Sequence, residues 1–165
     1  MANRQTIQFN SLPTSVDELK SLPQAAMKDP FEVAALVVAV LCNYENSDKT
    51  TIEMLNYLKG PHPLSPYDIQ FLRDRLVGKY YKPRSYFLGS TPENGYQPTQ
   101  PYTIEIFDNP YSYVDPNYAV LWMNSSGADS QRQIKLRRKG DGHWFYWTDM
   151  LLADIRIPKA EDPWA

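Results

Sequence analysis

A single cysteine, two histidines and seven glycines are all that 165 residues hold of these types, and each scarcity removes a class of chemistry. With Cys42 alone, no intrachain disulfide can close and no thiolate cage can hold a metal. His62 and His143 lie in different halves of the chain, and neither has a second imidazole at the spacing that a metal site on one element needs. The glycines form neither a Gly-x-Gly-x-x-Gly set nor a Walker loop, and no serine sits in a Gly-x-Ser-x-Gly elbow. No metal and no cofactor is expected. An excess of charge is missing too: 17 Lys and Arg stand against 19 Asp and Glu, a formal net charge of −2. General nucleic-acid binders are strongly basic, so no nucleic acid is expected as a partner. The longest apolar run, Val33 to Cys42, covers about ten residues, too few to cross a bilayer. The start at Met1 has no apolar stretch behind it to act as a secretory signal, so the expectation is no membrane and a cytoplasmic location.

What is present reads as an α+β chain in one domain, helical over about 14–78 and sheet-forming over about 79–165. Thr14 or Ser15 caps a short helix carrying Leu19, with Asp17 and Glu18 near its positive end. Asp29-Pro30 supplies an N-cap and a first-turn proline for a helix over about 30–44, apolar on every side and so buried all round. Ser47 or Asp48 opens a third helix that Gly60 closes. Ser65-Pro66-Tyr67-Asp68 starts a fourth. Its Ile69, Leu72 and Leu76 form one apolar face, while Tyr67 and Phe71 form another. Two apolar faces predict a helix sandwiched between the other helices and the sheet.

Beyond Gly78 the chain becomes dense in tyrosine and proline, which excludes long regular elements. Alternation predicts strands at Tyr102 to Phe107, Tyr118 to Met123, Gln133 to Arg138 and His143 to Trp147, in a twisted antiparallel sheet of four to five strands. Lys139-Gly140-Asp141-Gly142 is a hairpin turn between the last two. A short helix near Thr148 to Ala153 and a tail whose Trp164 packs back onto the body complete the expectation.

Several segments of this half carry a resemblance: Pro83-Arg84-Ser85-Tyr86-Phe87, Thr91-Pro92-Glu93-Asn94-Gly95-Tyr96, Asn109-Pro110-Tyr111-Ser112-Tyr113, Ser125-Ser126-Gly127-Ala128-Asp129-Ser130, Trp144-Phe145-Tyr146-Trp147 and Asp162-Pro163-Trp164-Ala165. Together they resemble an uncharacterised bacterial domain-of-unknown-function family. The resemblance implies a compact, free-standing bacterial protein and carries no activity.

Candidate functional residues gather in the same half. Tyrosine offers a rigid ring with a polar tip at low entropic cost, so Tyr86, Tyr96, Tyr111 and Tyr113, with Arg84 nearby, are candidates to line a groove for a peptide or a sugar. The same residues would serve equally as a packing layer over the sheet. The loop from Ser125 to Arg132 is rich in small hydrogen-bonding groups and ends in a cation, which suits an anion- or hydroxyl-binding nest; its plainer role is a solvated turn. Cys42, amid valines, reads as an inert core thiol. The lead expectation is a non-catalytic binding or accessory module for a protein or small ligand. The alternative is a small-molecule enzyme with a pocket between helices and sheet, using His143, Asp129 and Arg132.

Overall fold

A computed structural model describes residues 3–165. It contains β1 (Arg4–Phe9), α1 (Val16–Ser21), α2 (Pro30–Leu41), α3 (Asp48–Lys59), α4 (Pro66–Leu76), α5 (Tyr81–Arg84), β2 (Tyr102–Phe107), β3 (Tyr118–Met123), β4 (Arg132–Arg138) and β5 (Trp144–Asp149). The starts of α1 to α4 follow their local chemistry. The Ser15, Asp29 and Ser47 side chains accept from backbone N–H groups of the first turn, and Ser65 with Asp68 forms a reciprocal capping box.

The all-apolar α2 is the centre of the molecule. From Val33 to Val40 every residue is fully buried. The helix touches all five strands, and also α3, α5 and the 3₁₀ turn at Pro23–Ala26. Burial of each large aliphatic side chain here contributes about 1.5–3 kcal/mol. One hydrophobic core therefore draws on helices and strands alike.

The sheet is antiparallel in the order β1-β2-β3-β4-β5. Ile104, Ile106, Ala119, Leu121, Met123, Ile134 and Leu136 face α2, and Lys135 and Arg137 face outward, as period-two alternation requires. Trp147 is a bulge residue: Leu136 pairs with Tyr146 and Lys135 with Thr148, so Asp149 comes round opposite Ile134 on the buried face.

Four expectations need correction. The order is not helices followed by sheet, because β1 precedes them and pairs along its whole length with β2. Its polar residues hide it: only Ile7 and Phe9 turn inward from an edge strand. α4 is not sandwiched. Leu72 and Leu76 are buried, but Tyr67 and Phe71 are exposed, so no second layer covers this face among the described residues, although the Arg75 guanidinium lies 4.9 Å from the Phe71 ring centre. No helix forms at Thr148 to Ala153; Thr148 and Asp149 finish β5 and a turn follows. Trp164 is 92% exposed rather than packed.

Candidate functional site

The residues singled out in sequence separate into different environments. Tyr86 and Tyr96 are buried and their hydroxyls donate to backbone carbonyls, Tyr86 to Leu151 at 2.6 Å and Tyr96 to Arg156 at 2.5 Å. Burial pushes both phenols upward, Tyr96 to about 12. Tyr96 adopts a left-handed φ of 57°, unusual for a bulky residue, and its ring stacks on Tyr81 at 5.3 Å. Arg84 holds the same loop: its Nε donates to the Tyr96 carbonyl at 3.0 Å, and its guanidinium faces Glu45 at 3.7 Å. These three groups form an internal layer and not a groove. Tyr111 and Tyr113 are elsewhere, in the loop between β2 and β3, 75% and 43% exposed beside an open Val114.

The Ser125–Arg132 loop is tied down at one end and open at the other. The Ser125 hydroxyl donates to Ser85 Oγ at 2.7 Å, and the Ser126 N–H donates to the Ser85 carbonyl at 3.0 Å. Asp129 pairs with Arg156, and Arg132 donates to the Asp154 carbonyl at 2.7 Å. Asp129 and Arg132 thus share a surface hollow of about 250 Å³ with Asp154 and Arg156. His143 does not join them. It sits beside the hairpin turn, where its Nδ1 lies 2.9 Å from Asp141, while Arg132 opens β4 at the strand's other end, roughly 20 Å away along the strand. The backbone and ring bonds from His143 hold the Asp141 carboxyl below its usual range.

Among the described residues, no group of three or more His, Cys, Asp or Glu is placed to hold a metal ion, and no helix is long and apolar enough to cross a membrane. Cys42 keeps part of its surface accessible, yet desolvation of the sulfur dominates and pushes the thiol up to about 12.

Sequence reading missed the most developed constellation, in a cleft of about 220 Å³ between α4 and β5. Lys59, the last residue of α3, is only 7% exposed. Its Nζ donates to the Trp147 carbonyl at 2.9 Å and lies 4.5 Å from the centre of the Tyr146 ring. Desolvation draws the Lys59 pKa down, against the upward pull of Asp68 and Asp149. Deeper in, the Tyr146 hydroxyl donates to the Asp149 carboxylate, which also accepts from the Leu151 N–H at 2.8 Å. Burial pushes both groups upward; for Tyr146 the Asp149 charge adds to it, and for Asp149 the two hydrogen bonds oppose it. Tyr67 and Phe71 line the same cleft, one helical turn apart on α4. The one signal available beforehand was the second apolar face of α4. Nothing local marks Lys59, and the bulge that delivers Asp149 leaves no trace in residue types.

A family model described as Domain of unknown function (DUF6935) matches residues 11–159, which leaves β1 outside the matched stretch. No curated protein and no solved structure matches the chain.

Proposed function

The chain belongs to this DUF6935 family of unknown function, and we propose that it is a non-catalytic binding module that docks a partner protein along α4. The observation that carries this reading is the open aromatic face of that helix, Tyr67 at 76% and Phe71 at 37% exposure, beside a formed cleft. Paired exposed aromatics of this kind have the character of interface anchors. The cleft's volume of about 220 Å³ falls below the ~300–1,000 Å³ usual for small-molecule sites and suits one partner side chain. Its lining holds one cation, Lys59, against two carboxylates, Asp68 and Asp149, so a side chain with an aliphatic stem and a basic tip fits it best.

The polar groups of the cleft support binding rather than catalysis, because Tyr146 and Asp149 bond each other and Lys59 bonds a backbone carbonyl. The alternative, an enzyme using His143, Asp129 and Arg132, asks for groups within hydrogen-bond reach, and a strand's length separates His143 from Arg132.

Affinity capture from the native cytosol tests the reading. The tagged protein is expected to retain a stoichiometric partner that Tyr67→Ala with Phe71→Ser releases, while Tyr111→Ala retains it. Equal retention by the α4 variant would sink the α4 surface as the docking site.

A further inference from the structure

A second hollow, of about 480 Å³, shares Lys59 and Trp147 with the α4–β5 cleft but has the opposite electrical character. Its walls are the linker at Pro61 and His62, the β4–β5 hairpin from Arg137 to Gly140, and the rings of Phe145 and Trp147. Four cations line it, Lys59, Arg137, Arg138 and Lys139, and among the described residues no carboxylate does. In a chain of net charge −2, such a concentration runs against the composition as a whole. Repulsion within it is barely relieved from inside. Lys139 reaches Asp141 only at 4.0 Å, and among the described residues no carboxylate stands at ion-pair distance from Arg137 or Arg138.

The walls are held in place before any ligand arrives. Gly60 adopts φ +63°, and a Cβ there would stand 2.6 Å from Phe145 Cε1, so the linker's close approach to β5 depends on glycine. His62 lies against the Trp147 ring at 5.2 Å. The Arg137 guanidinium packs 4.9 Å from the Tyr118 ring centre and 5.2 Å from that of Trp147, and donates to the Tyr118 hydroxyl. Arg137 is thereby oriented with N–H groups to spare, since a guanidinium carries five. Lys59 places one of its three hydrogens on the Trp147 carbonyl.

We propose that this hollow binds a small phosphorylated molecule, gripped through a diphosphate group by Lys59, Arg137, Arg138 and Lys139. Several convergent cations call for an anion with more than one charge and many acceptor oxygens, which a diphosphate has and a lone carboxylate lacks. The volume lies within the usual range for a small ligand of about 300–1,000 Å³. The two sites share Lys59 and Trp147, but Tyr67 and Phe71 belong to the cleft alone and Arg137, Arg138 and Lys139 to this hollow alone, so variants at those residues let either reading fail alone.

Titration calorimetry of the full chain at constant ionic strength tests it, with inorganic pyrophosphate, adenosine diphosphate, inorganic phosphate, sulfate and a single-stranded oligonucleotide as probes. Saturable one-to-one binding of pyrophosphate or adenosine diphosphate, tighter than phosphate and sulfate, is expected. Equal affinity for those two assigns recognition to the phosphoryl groups alone; tighter adenosine diphosphate adds a contact to the rest of the molecule, and both results support the site. Arg138→Glu should weaken binding at least about tenfold with an unchanged melting temperature, since Arg138 is exposed. Arg4→Gln, at the far edge of the sheet, should leave binding unchanged. Absence of saturable binding, binding that Arg138→Glu does not move, or binding of the oligonucleotide alone would overturn the proposal.

Discussion

Two stretches of the tyrosine- and proline-rich segment share a composition and part company in the folded chain. From Tyr80 to Tyr96 the rings turn inward: Tyr81, Tyr86 and Tyr96 are buried, and each hydroxyl donates to a carbonyl of the segment between Leu151 and Arg156. From Tyr111 to Val114 the rings face water, and the loop is held through its backbone, by the Tyr111 N–H on the Asn109 side chain and the Val120 N–H on the Ser112 carbonyl. The difference lies in what stands opposite. A tyrosine can be buried only where its hydroxyl finds an acceptor, and the irregular chain after β5 supplies carbonyls that no strand partner takes. Richness in tyrosine therefore marks neither a core nor a recognition surface until those acceptors are located.

The contrast can be broken most directly at Tyr96. Tyr96→Ala removes a fully buried ring, its stack on Tyr81 and its bond to Arg156, and should cost about 3–5 kcal/mol in denaturant unfolding. A loss near that of an exposed residue would show that the inner layer does not bear on stability. Gly127→Ala attacks the layer from outside, since its Cβ would fall against the Tyr96 hydroxyl and 2.6 Å from Ile155 Cγ2. Overpacking of this kind costs roughly 1–3 kcal/mol, readable as a lowered melting temperature.

Tyr86→Phe is subtler. It leaves the Leu151 carbonyl unpaired at a cost of about 1–2 kcal/mol. The sign with pH follows from the phenol's direction of shift: burial holds it above its unfolded value of about 10, so the folded state keeps the proton longer. The wild-type advantage over Y86F should be full below about pH 10 and decline above it, as paired unfolding curves would show. Smallest of all, Tyr111→Ala should change stability by less than about 0.5 kcal/mol, because the ring is 75% exposed. A larger loss would mean that the outer loop packs more than its exposure indicates.

Much of the architecture was legible beforehand, and the reason is local. Asp29-Pro30 and Ser65-Pro66-Tyr67-Asp68 announce helix starts through bonds that span two or three residues. Alternation located the strands from Tyr102 to Trp147 because one face of each is buried. β1 stayed hidden because an edge strand shows only Ile7 and Phe9 to the core, too short a pattern to separate from a polar terminus. Of the proposed groove residues, Arg84, Tyr86 and Tyr96 belong to the interior, and nothing in their own neighbourhoods distinguishes them from Tyr111 and Tyr113.

The residue order by itself determined where helices begin, which helix is buried on all sides and which strand face is apolar, since each depends on neighbours within a few positions. Tertiary structure decided which tyrosines meet water, that the aromatic face of α4 stays open, and that Lys59 reaches the Trp147 carbonyl. Those outcomes rest on partners 60, 65 and 88 residues apart, for Tyr96, Tyr86 and Lys59 respectively. At such separations the acceptor's position is a product of the whole packed chain, and no short window of sequence contains it.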